Sequence, residues 1–223
     1  MTDASANRAD GTRRQILRAA SREFARRPYP MVSLEDIITN AGLTKGGLYF
    51  YFHSKGALAA AIIDEQLEVV RDWLFHRREG RLSGLETLIE SGYFIAAQDI
   101  QSSDVRAALN LLEQIGRSGG LHEKVFGEWS SALTAMAARG IADGDIVEGT
   151  DPEELCRLVM SIYMGLRQTV DLNVADELLS SLEHAWLLLL PGCVNADRLG
   201  YFVQFVKRRT AVAKGNASRP KRS

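Results

Sequence analysis

The chain is punctuated as a run of helices from one end to the other, and that pattern excludes most other architectures. Apolar residues recur at three- and four-residue spacing between clear starts and stops, and no segment shows sustained two-residue alternation closed by hairpin turns. Thr12 to Arg26 sets Ile16, Ala19, Ala20 and Phe24 on one face and arginines on the other, until Pro28 and Pro30 stop it. Ser33 opens a second helix, because its spacing to Asp36 lets hydroxyl and carboxylate satisfy first-turn amides. Gly42 suits a left-handed helix end. Thr44 is placed to cap a short helix from Lys45 to about Phe50, and Ser54 begins a long one that runs to Glu79 without a breaker. Further helices are expected from the Ser83–Glu86 box through Ile100, then over Asp104–Arg117 and Leu121–Arg139, the last stopping at Gly140. Asp151-Pro152-Glu153-Glu154 is a strong helix start: an Asp cap, a proline at the first position, and acids at the positive dipole end. Asp176–Leu190 and Ala196–Arg209 complete an all-α chain of about ten helices.

Charge is distributed unevenly along the 223 residues. The net charge is −1, yet residues 1–60 carry nine Lys/Arg against five acids, and seven basic residues with no acid follow from Lys207. The segment between them is therefore strongly acidic. A basic end on an acidic body is the asymmetry expected when one end meets a polyanion. Cys156 and Cys193 are far apart, match no metal spacing, and read as buried thiols of a reducing compartment. The Arg-rich start lacks the apolar run of a signal peptide. The apolar run Ala185–Leu190 is too short to span a bilayer, so no membrane partner and a cytoplasmic location are expected.

The informative stretch is Ser33–Leu58, SLEDIITNAGLTKGGLYFYFHSKGAL. Two short helices about a glycine-containing turn fit a helix-turn-helix. Leu34, Ile37, Ile38, Leu43 and Leu48 supply a small core, leaving Thr44, Lys45, Gly46, Gly47 and Tyr49 to face outward. Lys45 suits a phosphate or a guanine edge, and Thr44 and Tyr49 can donate hydroxyls to phosphates. Glycines at 46 and 47 each weaken a helix by about 1 kcal/mol relative to Ala, a cost that close approach of backbone to DNA explains. The helix starts at Ser33 and Thr44 are natural phosphate sites. Lys55, Arg13 and Arg14 are candidates to clamp the flanking backbone, with Phe50 and His53 completing the candidate DNA face. The chain thus divides into a disordered arm over 1–9, a helix-turn-helix head over 10–55, a ligand-binding and dimerisation domain over 56–210, and a basic disordered tail over 211–223.

These residues carry a resemblance. T-R-R-x-I-L-x-A-A-x-x-x-F from Thr12 to Phe24, followed by V-S-L-E-D-I-I-x-x-A-G-L-T-K-G-G-L-Y-F-Y-F-x-S-K to Lys55, resembles the TetR family of bacterial regulators. The family's T-K-G-x-L-Y-x-x-F core stands here as Thr44, Lys45, Gly46, Leu48, Tyr49 and Phe52. The resemblance implies an Ω-shaped homodimer, usually a repressor, that leaves its double-stranded operator when a small molecule enters the C-terminal domain. Within that family the body looks like the γ-butyrolactone receptor group of actinobacteria. The hints are G-L-Y-F-Y-F, then S-K-x-x-L-A with Gly56 where an acid is usual, and V-F-G-E-W at Val125–Trp129, which resembles the segment carrying that group's pocket tryptophan.

Read from its own residues, the body offers Tyr93, Phe94, Phe126, Trp129, Met136, Met160, Tyr163 and Met164 as core or pocket. Trp129 leads, because an indole packs flat on an apolar ligand and offers one N–H. Gln98, Gln114 and Gln168 are candidates to orient a carbonyl. The helices over 151–170 and 176–190 are apolar around more of their circumference than one buried face requires, and are expected to form an isologous four-helix dimer contact. An enzyme is the remote alternative: there is no Gly-x-Ser-x-Gly elbow, no phosphate loop and no metal spacing among the four histidines, so no cofactor is expected. The nearer alternative is a regulator of the same type that senses a lipid, an acyl-CoA or an antibiotic.

Overall fold

The computed structural model describes residues 3–76 and 81–218. Its helices are α1 (Asp3–Arg26), α2 (Leu34–Ala41), α3 (Lys45–Tyr51), α4 (Lys55–His76), α5 (Gly84–Gln101), α6 (Ser103–Ile115), α7 (Leu121–Ala142), α8 (Pro152–Thr169), α9 (Ala175–Cys193) and α10 (Ala196–Ala217). Among the described residues the sole extended pairing is an isolated antiparallel bridge between Ile146 and Val194.

The punctuation read from the sequence operates as physical chemistry demands. Ser33 and Asp36 form the reciprocal capping box, Ser33 N–H to Asp36 Oδ2 at 3.0 Å and Asp36 N–H to Ser33 Oγ at 3.1 Å. These hydrogen bonds from Ser33 hold the Asp36 carboxyl below the usual carboxylate range. Gly42 closes α2 at φ 63, where any side chain would be strained. Asp151 accepts from the amides of both Glu153 and Glu154 to start α8.

Four boundaries differ from expectation. α1 begins at Asp3 rather than near residue 10, because the alanine-rich start contains no breaker before Gly11, and one glycine costs a helix only about 1 kcal/mol. α7 passes through Gly140 to Ala142 and ends before Gly144, which takes φ 74. Gly140 is needed for packing instead: its ideal Cβ would lie 3.0 Å from Leu85 N. α9 continues through Pro191 to Cys193, and α10 absorbs residues 210–217, so the tail expected from 211 is helical as far as Ala217. Glu79 and residues 219–223 lie outside the described residues.

The chain forms two compact units, residues 1–69 with 102–125, and residues 70–101 with 126–223. In the first, α1 packs on α2 and α6 over Ile16, Leu17, Ala20, Phe24, Ile37, Leu48, Leu58, Ile62 and Leu109, all buried. Asn110 Nδ2 donates to Phe24 O at 3.2 Å, so α6 braces the end of α1. In the second unit α10 packs on α5 and α9, and α9 on α8. Gly84 and Gly140 let α5 and α7 touch backbone to backbone: an ideal Cβ on Gly84 would stand 2.1 Å from Gly140 N.

Candidate DNA interface and ligand cavity

The outward face of α3 is built by its cap and its glycines. Thr44 Oγ1 accepts the Gly47 amide at 3.2 Å, which uses a lone pair and leaves the hydroxyl hydrogen free to donate outward. An ideal Cβ on Gly46 would meet nothing within 4 Å, and one on Gly47 would meet the Thr44 hydroxyl at 3.3 Å. Packing within the chain therefore does not demand a glycine at 46. Lys45 extends from the first turn, its Nζ 3.6 Å from Glu35 Oε1 and 5.9 Å from the Tyr49 ring centroid. Tyr49 is exposed, and Phe50 is 77% exposed, its ring set edge-on against Tyr51. Leu48 and Phe52 point inward. His53 follows, exposed, at the end of this face.

Other expected contacts are already engaged. Lys55 Nζ donates to the carbonyls of Tyr29 and Val32, both at 2.9 Å, and lies 4.2 Å from the Tyr29 ring. Two of its three hydrogens are spent holding the segment between α1 and α2. Arg13 pairs with Glu65 at 2.8 Å and stands over the Phe52 ring, which leaves Arg14 as the outward arginine of that pair. The Ser33 amide is consumed by the capping box, with Glu35 and Asp36 in the same turn, so that helix start is poorly suited to phosphate.

The second unit contains a small apolar cavity, about 50 Å³, between α4, α5, α7 and α8. Phe126, Trp129, Met160, Tyr163 and Met164 line it, with Val70, Leu74, Ile95, Leu133 and Val159. Its polar atoms are few. Ser91 Oγ donates to Leu88 O at 2.7 Å, and Tyr163 Oη donates to Asp99 Oδ2 at 3.2 Å. Behind Tyr163, Asp99 is ion-paired with Arg167, both side chains 1% exposed. Burial first, and then the Asp99 carboxylate, raise the Tyr163 hydroxyl well above its ordinary range, so it stays protonated.

Four other residues expected in the pocket lie elsewhere. Tyr93 faces α10, its hydroxyl 2.6 Å from Thr210 Oγ1, and burial pushes it up to about 12. Phe94 stacks on Trp73, centroids 4.7 Å apart. Gln98 is half-buried on α5 and is not part of the lining. Gln114 belongs to the first unit, where its Oε1 accepts the Tyr29 amide at 2.7 Å. For the three on α5 the reason is helical phase: the cavity takes Ser91, Gly92 and Ile95, and their neighbours in sequence turn elsewhere. The Asp99–Arg167 pair escaped the sequence because its members are 68 residues apart. Among the described residues no group of three or more metal-ligating side chains gathers, and no helix is long and apolar enough to cross a membrane.

A capped two-helix turn with an outward, glycine-lined second helix, on an otherwise helical chain, defines a helix-turn-helix DNA-binding transcription regulator. Residues 16–62 match the family of bacterial regulatory proteins of the tetR type. The A-factor receptor protein of Streptomyces griseus is 31% identical over 190 residues, covering 84% of this chain and 66% of the receptor, just under two thirds of its length. The crystal structure of a γ-butyrolactone receptor (ArpA-like protein) superposes with a TM-score of 0.75 at 26% identity, covering 92% of this chain and 99% of that one. CprB of Streptomyces coelicolor, solved with its biological operator sequence, gives 0.76 at 28% identity with the same coverage. The chain belongs to the TetR family of bacterial regulatory proteins.

Proposed function

We propose that this protein is a repressor that binds a palindromic operator as a homodimer and is released by a small, neutral, largely apolar molecule entering the cavity of α4, α5, α7 and α8. The observation that carries the ligand class is the lining itself: ten apolar or aromatic side chains, Ser91, Gly92, and no charged group. The phosphates of an acyl-CoA ask for cations that this wall does not hold. Because Tyr163 and Ser91 donate inward, their oxygens remain as acceptors for a ligand hydroxyl, and the Trp129 indole N–H suits a carbonyl. A compact lactone with a short apolar tail fits this set, in keeping with the γ-butyrolactone and A-factor receptors it is similar to.

On α3 the reading assigns base and phosphate contacts to Thr44, Lys45, Gly46, Gly47, Tyr49, Phe50 and His53. On α8 and α9, Leu158 is 47% exposed and Leu188 84% exposed, which supports those helices as the self-complementary dimer contact. Release follows if the ligand prefers a state in which the two recognition helices no longer match successive major grooves, about 34–36 Å apart or a multiple of it.

The test is selection of bound duplexes from a random pool, followed by titration of the winning sequence with γ-butyrolactones and, in parallel, acyl-CoAs and free fatty acids. Specific binding lost on adding a lactone, and kept when Trp129→Phe protein meets the same lactone, is the expected result. A selected pool no better than random DNA overturns the regulator assignment. Release by acyl-CoA but not by lactones overturns the ligand class.

A further inference from the structure

The outer face of α1 carries an inference that goes beyond the helix-turn-helix and rests on the regulator reading above. Arg14, Arg18, Arg22 and Arg26 follow one another at four-residue steps, and all four are exposed. On a helix such residues form a slowly winding row, rising about 6 Å per step and about 18 Å in all. Most of the row, with Gly11 and Gln15, lines a shallow concave surface.

Four other basic side chains of the head are engaged within the chain. Arg13 pairs with Glu65, Arg27 with Glu23 and Asp36, and Lys45 with Glu35, while Lys55 is held by two carbonyls. The row is different. Arg14 Nε makes one contact with the Asp10 carbonyl at 3.3 Å, and among the described residues Arg18, Arg22 and Arg26 are in no ion pair. Glu23, next to Arg22 in sequence, turns away to Arg27 and Asn40. Asp10 is exposed one turn before Arg14. Like charges four residues apart repel one another on a helix, and among the described residues no carboxylate pairs with Arg18, Arg22 or Arg26.

The row also has an address. Gln15 Nε2 donates to Ala41 O at 2.6 Å, which sets this side of α1 against the end of α2 and the turn leading into α3. We propose that the arginine row binds the phosphate backbone of duplex DNA flanking the operator core, holding the double helix along α1 as well as on α3. A one-turn repeat of cations suits a rod bearing a negative charge about every 1.7 Å better than the scattered acids of a protein surface. Such contacts position without reading sequence, so the row adds affinity and salt sensitivity and leaves base preference alone.

The test uses the full chain, the selected operator core as a short duplex, and the same core within a longer duplex of unrelated flanks. Dissociation constants are measured from 50 to 200 mM salt for wild type, Arg18→Gln/Arg22→Gln and Arg18→Lys/Arg22→Lys. Each phosphate contact contributes about 0.9 to the slope of log affinity against log salt. On the long duplex the Gln variant, which removes four arginines from a dimer, is therefore expected to lose about 3.6 of slope, so wild-type affinity falls about 150-fold more steeply across that range. The Lys variant is expected to keep the wild-type slope, and all three proteins are expected to agree on the short core. Equal slopes for wild type and the Gln variant on the long duplex, in a wild type that binds the core specifically, overturn the row and leave the regulator reading standing. A wild type that prefers no sequence overturns both. A Gln variant weakened equally on core and long duplex places the arginines in the core contact and overturns the flanking assignment.

Discussion

Lys55 shows how a residue can carry the right charge in the right stretch and still serve the fold. Its ammonium bridges two carbonyls and an aromatic face in the segment between α1 and α2. Charge-assisted hydrogen bonds of this kind are each worth about 1.5–3 kcal/mol. Lys55→Met is expected to lower unfolding stability by about 2 kcal/mol while leaving the salt slope of DNA binding unchanged; denaturant melts beside binding titrations check both. A variant of full stability with a reduced slope would return Lys55 to the DNA face. Cys193 supplies the pH prediction. Burial raises its thiol from 9.0 to about 11. The folded state thus favours the protonated form, and the associated stability is complete below pH 9 and lost as pH rises toward 11. Cys193→Ala is expected to flatten the fall in stability over that window, measured by urea unfolding from pH 8 to 11. Below pH 9 the native thiol is expected to resist alkylation.

Helix starts were legible in the sequence because each is a local event, a side chain reaching an amide two or three residues on. Ser33, Thr44, Ser54, Ser83 and Asp151 all perform as their spacing predicts. Helix ends were less legible. Gly140 signalled a stop and is instead a contact point, information that resides in Gly84, more than fifty residues away. The same limit applied to the pocket. Phe126, Trp129, Met160 and Tyr163 were readable as aromatic or flexible residues, but the phase that turns Tyr93 toward Thr210 depends on where α10 packs. The arginine row on α1 was visible as the charged face of an amphipathic helix, yet that Arg13 and Arg27 are drawn out of that face into ion pairs depends on Glu65, Glu23 and Asp36. The α5–α7 contact makes a sharp prediction at this scale. Gly84→Ala must push two backbones apart, and is expected to cost about 3 kcal/mol or more, against about 1 kcal/mol for loss of the Asp151 cap in Asp151→Ala. Chemical denaturation of both variants ranks them, and a Gly84→Ala protein as stable as wild type would contradict the described crossing.

At the scale of the whole molecule, the exposed leucines and the cavity make independent claims. Leu188→Glu places a charge on the proposed dimer face and is expected to yield monomers in sedimentation equilibrium, with weakened operator binding and an intact helical spectrum. A dimer that persists would remove α9 from the interface. An effector that occupies the cavity stabilises whatever state it binds: at one hundred times its dissociation constant the gain is about 2.7 kcal/mol, or about 5–10 °C in melting temperature for a protein of this size. Thermal shifts with lactones should follow their potency in operator release. A shift without release would mean that the ligand binds both states equally and switches nothing.

Gly46 has an outcome for the history of such a protein as well as for its chemistry. The space beside it is open, so a new side chain there disturbs no partner inside the chain and, by restoring helix propensity, firms the recognition helix. On the proposed reading of α3 as the helix that meets DNA, mutations at that position are therefore filtered by the operator. Descendants of this gene can drift to new target sequences through a single codon, with folding, cavity and partner choice inherited unchanged.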